Sequence, residues 1–287
     1  MIALILSITS STLIFVIFKL FKKYEINTFQ AIIVNYFTSA SLGFTLYSNE
    51  WNPMVLQENS WMVYAIIIAF LFITLFVLMG KSAQLNGVAS TSVAVKMSMA
   101  ISLLFMIYIY SETLYLLKII GIILAFIGVF LVSSSNQKGV KSAGWMLILL
   151  FVGSGILDFT LNFVLQNVLL ESMTPSLFSA FCFIFAGIFG LGFISIRRIN
   201  SKVKIELKNI LAGIILGIPN YFSIYLLLLS YKLTGLEDST VLAITNVSIV
   251  LFSAIIGFIA FKENAGIRKI IGLISAILAI TALYIAT

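Results

Sequence analysis

Of the 17 basic residues in this sequence, 16 lie in connections or at the ends of apolar stretches, and Lys96 alone lies inside one. Of ten acidic residues, nine do the same and Asp158 alone lies inside. A carboxylate and an ammonium so placed can bind the polar part of a solute, load and release a proton, or neutralise each other. An ionised group at the centre of a membrane helix costs at least about 2.5–3.5 kcal/mol, so such groups face a bundle interior, find a partner and mark a transport path. Lys96 lies about eight residues, or about 12 Å, from one end of its stretch, within partial reach of a snorkelling lysine stem. Asp158 is about fifteen residues into its stretch and too short to reach either surface. It needs a partner or a proton. Burial and a neighbouring cation push a carboxyl's proton affinity in opposite directions, the setting in which an acid picks up and releases a proton as its access changes. The alternative is a purely structural ion pair between Asp158 and Lys96.

Around these two stand uncharged polar groups. Asn162 follows Asp158 by four residues, on the same helix face, with Thr160 and Gln166 nearby. That face either lines a wet cavity or supplies interhelical hydrogen bonds. Pro219 lies within an apolar stretch, inside Gly217-Ile218-Pro219-Asn220-Tyr221. Proline removes a backbone donor and kinks a helix, and interrupted membrane helices mark binding sites in many transporters. Asn220 and Tyr221 are therefore candidate substrate contacts, with a packing kink as the alternative. Asn246 occupies, within one residue, the place in the second half that Lys96 holds in the first.

Other chemistries find no residues to carry them. There is no histidine, and Cys182 is the one cysteine, so the sequence offers neither a metal-ligand cluster nor an internal disulfide. Gly80-Lys81-Ser82 resembles the end of a phosphate-binding loop, but Leu75 stands where its upstream glycine belongs. The expectation is a protein that is not an enzyme and uses no cofactor or metal.

The elements that must position these residues are membrane helices. The chain of 287 residues is 61% hydrophobic and 9% charged, against roughly 25% charged for a soluble protein. Ten spans of near-membrane length follow: roughly 2–18, 29–47, 62–80, 90–110, 116–133, 143–168, 176–196, 209–231, 239–261 and 267–286. The longest connections, about 48–61 and 197–208, leave no room for a soluble domain. The first span is read as a retained helix, since Lys19, Lys22 and Lys23 follow it rather than precede it. Trp51, Trp61 and Trp145 fall at span ends, where amphipathic rings favour the headgroup level.

The net charge of +7 reports sidedness here, and nucleic acid is not an expected partner. Connections after odd-numbered spans hold 14 Lys and Arg, and those after even-numbered spans hold Lys118 and Lys232. This asymmetry predicts cytoplasmic odd connections and both termini outside.

A duplication organises the whole. Residues 112–125, ETLYLLKIIGIILA, return at 263–276 as ENAGIRKIIGLISA, matching Glu112 with Glu263, Lys118 with Lys269 and Gly121 with Gly272. Five spans per half make the copies cross the membrane in opposite senses. The predicted units are 1–135 and 143–287, joined through residues 136–141. Glu112 and Glu263 read as loop anchors or headgroup-level salt bridges, and Glu237 and Asp238 as an N-cap. Gly121 with Ala125, Gly272 with Ala276, and Gly213 with Gly217 are small residues four apart, suited to close helix packing within a monomer or between the copies of a homodimer.

The repeated Glu followed by Lys-Ile-Ile-Gly and an apolar helix, in a chain of ten spans, resembles the EamA family of the drug/metabolite transporter superfamily. That resemblance implies an all-α, multi-pass protein of the cell membrane that moves a small organic solute, often outward and often in exchange for protons. Two features depart from it. Neither the fourth nor the ninth span contains the proline common in that family, and better-known members have cytoplasmic termini. The expected activity is secondary transport by alternating access with protons as possible partners; a non-transporting membrane scaffold is the alternative.

Overall fold

The computed structural model describes residues 1–46, 60–110, 115–134, 143–168, 174–200, 205–236 and 238–285. Trp51, Glu112, Glu237 and the connection 136–141 lie outside the described residues. The structure is all-α: α1 (Ile2–Lys23), α2 (Thr28–Leu46), α3 (Ser60–Leu85), α4 (Val88–Met97), α5 (Met99–Tyr110), α6 (Leu116–Ser133), α7 (Gly144–Asn167), α8 (Pro175–Asn200), α9 (Leu207–Leu233), α10 (Asp238–Ile259) and α11 (Ile267–Ile285). In hydrocarbon every backbone polar group must be satisfied within the segment, which leaves helices as the spanning form for such a sequence. Among the described residues, nine helical segments are long and apolar enough to cross a membrane, α4 and α5 counting together as Val88–Ile109. The tenth is α2, more polar because it carries the buried Gln30, Asn35, Tyr36 and Ser39.

The fourth expected span is thus two helices. The division at Ser98 involves neither proline nor glycine, and Ser98 keeps a right-handed helical backbone. Its hydroxyl lies 2.6 Å from the Val95 carbonyl, while its own carbonyl takes the N–H groups of Ile101 and Ser102 at 2.9 and 3.1 Å. The hydrogen bonding slips by one step there, Ile101 N–H reaching back three residues to Ser98 rather than four.

Helix packing follows an exchange of halves. α1 packs on α9 as α7 packs on α3, α2 on α9 as α8 on α3, and α1 on α10 as α7 on α4. The remaining major pairs, α2 with α8, α4 with α10 and α6 with α11, each join an element to its own counterpart. This is the pattern of two inverted repeats around a pseudo-two-fold axis. The duplicated segments themselves form the α6·α11 pair, where a Cβ on Gly272 would stand 2.9 Å from the Gly128 carbonyl and one on Gly128 3.0 Å from that of Gly272. Only glycine permits that approach.

The largest departure from that symmetry is the packing of α1 on α3. At the lysine-rich end, where the odd connections lie, α1 closes on α3, with Lys19 Nζ 3.4 Å from the Gln84 carbonyl. Among the described residues, α7 and α9 make no comparable packing at the other end. α1 and α3 are thus joined at the lysine-rich end.

The core holds Tyr36 stacked on Phe183 at 6.0 Å. It also corrects one expectation: Trp61 is not a headgroup-level ring but is fully buried against Phe178 and Phe181, because α8 covers the start of α3. Trp145, by contrast, is exposed at the start of α7. Side chains such as Ile123, Phe130, Ile148, Phe193, Leu211 and Phe252 stand outward and exposed, a surface suited to lipid rather than water.

Candidate functional site

α7 carries Asp158 toward the junction of α4 and α5. Gly155, one turn earlier, lets the two backbones meet, since a Cβ there would lie 2.8 Å from the Ser98 carbonyl. The Asp158 carboxylate Oδ2 is 2.9 Å from Ser98 Oγ. Ser98 itself is almost fully buried, so the carboxylate points between helices and not into lipid.

That contact has a counting problem built into it. A hydroxyl has one hydrogen, yet Ser98 Oγ faces both the Val95 carbonyl and the Asp158 carboxylate within hydrogen-bond range. Both become full hydrogen bonds when Asp158 carries a proton and itself donates to Ser98 Oγ. With Asp158 ionised, the two acceptors compete for one hydrogen. The junction can therefore register whether the acid is protonated.

Lys96, two residues before Ser98, is half-buried, and its charge acts on that of Asp158 through space. From α10, the buried Asn246 sends Nδ2 to Met99 Sδ at 3.8 Å. Residues from α4, α5, α7 and α10 thus converge on the junction, drawn from both halves. Asn162 stands exposed one turn beyond Asp158 on α7.

Asn220 and Tyr221 lie elsewhere. Asn220 is buried and donates from Nδ2 to Ser39 Oγ at 3.3 Å. Tyr221, also buried, stacks on Tyr225 at 5.8 Å, with Gly43 of α2 beside it. Both belong to the packing of α9 on α2. α9 runs unbroken through Pro219, and hydroxyls from neighbouring helices meet the carbonyls on either side of it, Ser39 donating to Gly217 at 3.0 Å and Ser7 to Ser223 at 2.8 Å.

Two features escaped the sequence. Ser98 looked like one of many small residues in an apolar stretch; its nearness to Lys96 was the available signal. The other is a cluster at the lysine-rich end, where Glu263 binds Lys269 at 3.0 Å, Lys19 at 3.8 Å and the Val88 N–H at 2.6 Å. Repetition marked Glu263, but nothing in the sequence ties it to α1 or α4.

Comparison with known proteins agrees with this architecture. An uncharacterized protein of Haemophilus influenzae is 26% identical over 295 residues, covering 98% of this chain and 97% of its own. A crystal structure that is 14% identical superposes with a TM-score of 0.58 over 98% of each chain, a likeness of fold. The pattern of the EamA-like transporter family matches residues 1–134 and again residues 145–285. Matched in both halves over nearly its whole length, this multi-pass membrane protein belongs to the EamA-like transporter family.

Proposed function

We propose that this protein is a secondary transporter of a small amphipathic organic metabolite or drug in the cell membrane, working outward or by exchange. The solute binds between the inverted halves beside Asp158, Lys96, Asn162 and Asn246, and Asp158 couples its movement to protons. The observation that carries this reading is the Asp158 carboxylate, deep in the membrane and held by one hydroxyl at a helix junction. A structural ion pair has no need of such a junction. A proton-carrying acid does, because the junction's hydrogen bonding differs between its two protonation states. Rocking of one repeat against the other then exposes the acid and the solute to each side in turn. Lys96 offers a cation for an anionic group of the solute, and the apolar walls accept its remainder.

The test is a screen of small metabolites for flux into proteoliposomes under an imposed pH gradient, repeated with Asp158→Asn. Flux driven by the gradient that disappears in the variant, with its thermal unfolding unchanged, is the expected result. Flux that ignores both the gradient and the substitution removes Asp158 from the mechanism.

A further inference from the structure

The repeated motif places Glu112 six residues before Lys118 and Glu263 six before Lys269, and the Glu263–Lys269 ion pair has an additional member. Lys19 of α1 reaches Glu263 at 3.8 Å with a side chain 19% exposed, whereas Glu263 and Lys269 are 2% and 3% exposed. The counterpart of α1 is α7, and α7 contains no lysine or arginine at all. α1 thus brings a cation that its counterpart α7 cannot supply. It does so at the end where α1 is closed on α3, while α7 and α9 make no comparable packing among the described residues.

The remaining partners of Glu263 do not depend on where α1 stands. Lys269 follows it by six residues, in the first turn of α11, and Val88 N–H opens α4, which packs on α10. Gly87, at φ +97°, and Gly257 wrap the carboxylate, and a Cβ on Gly87 would overlap it. Glu263 thus stays buried and paired whether or not Lys19 is present. We propose that Lys19 is a releasable latch, bound to the fixed Glu263 centre while the lysine-rich end is closed and free when α1 swings away. A contact made in one of two states shifts their populations by its own free energy. Lys19 accordingly biases the resting protein toward closure at this end, and it belongs to the gate rather than to the solute site.

The inference rests on alternating access, but its test needs no solute, so its failure leaves the Asp158 reading to be judged separately. In a Cys182→Ala background in nanodiscs, which expose both membrane faces, single cysteines replace Ala83, buried near the closed end of α3, and Asn162, exposed on α7. Maleimide labelling is then compared with and without Lys19→Met and Lys19→Gln, made in parallel so that either supplies the result if the other does not fold. Loss of a part-exposed ion pair worth up to about 1 kcal/mol corresponds to about a fivefold rise in labelling at position 83, with a fall at position 162 as the opposite end closes more often. Lys19→Arg and the control Lys23→Gln keep the parent rates. The latch is overturned if position 83 labels at the parent rate, if both positions speed up together as in general loosening, or if Lys23→Gln reproduces the effect.

Discussion

The Glu263 carboxylate meets two ammonium groups and a backbone N–H within 4 Å, whereas that of Asp158 meets one hydroxyl that already has another acceptor. Both are acids within the same bundle, and both sit near the start of a helical segment of the opposite half. Their surroundings separate their roles. A carboxylate whose acceptor sites are filled by fixed donors has no reason to change protonation or partner, and it holds elements in place. One with a single contested donor can change both, and it is suited to a cycle. The two sites also differ in origin, since Glu263 lies in the duplicated segment and Asp158 has no acidic partner inside any other span.

The sharpest way to break this contrast is to neutralise each acid in turn. Asp158→Asn is expected to reduce gradient-driven flux to that of protein-free liposomes while leaving the unfolding temperature near that of the parent. For Glu263→Ala the expectation is reversed. Removing one partner of a buried ion pair leaves Lys269 buried without its counter-charge, at a cost of about 3–5 kcal/mol, read as a large drop in unfolding temperature. Equal loss of stability in both variants would erase the distinction.

How far these roles could be read before the structure depends on the range of the interactions. Helix positions and the inverted repeat were legible because hydrophobicity and duplication are written along the chain, and Asp158 stood out because an acid in an apolar stretch is costly wherever that stretch packs. The break at Ser98 was not legible, since no proline or glycine marks it in the span itself and the close approach of Gly155 from α7 is a contact between distant residues. Trp61 misled for the same reason: amphipathic rings favour interfaces, but α8 covers this one. Asn220 and Tyr221 were singled out by their place beside Pro219, and the structure seats them against α2. The Glu263 cluster joins residues 19, 88, 263 and 269. No local pattern connects them.

A smaller effect sharpens the comparison at the duplicated segments themselves. At the α6·α11 crossing, Gly272 faces the Gly128 carbonyl and Val132 at 2.9 and 2.7 Å from where a Cβ would be. Gly272→Leu forces the helices apart, with an expected loss of about 1–3 kcal/mol. Because this crossing lies away from the Ser98 junction, the solute affinity of the protein that remains folded should not change, as measured by KM beside the unfolding temperature. A change in KM would mean that the crossing moves during transport.

The smallest effect concerns the packing of α9 around Pro219. Proline lacks the N–H that would bond the carbonyl one turn earlier, and Ser39 compensates nearby by donating to Gly217 while accepting from Asn220. In Ser39→Ala the Gly217 carbonyl loses its extra donor and the Asn220 amide loses its acceptor, for an expected cost of about 0.6–1.7 kcal/mol, the range of interhelical hydrogen bonds in membranes. If Asn220 serves only this joint, unfolding temperature falls slightly and KM is unchanged. If Asn220 also binds solute, freeing its amide from Ser39 changes KM while stability barely moves, and the polar site then extends from the Asp158 junction to α9.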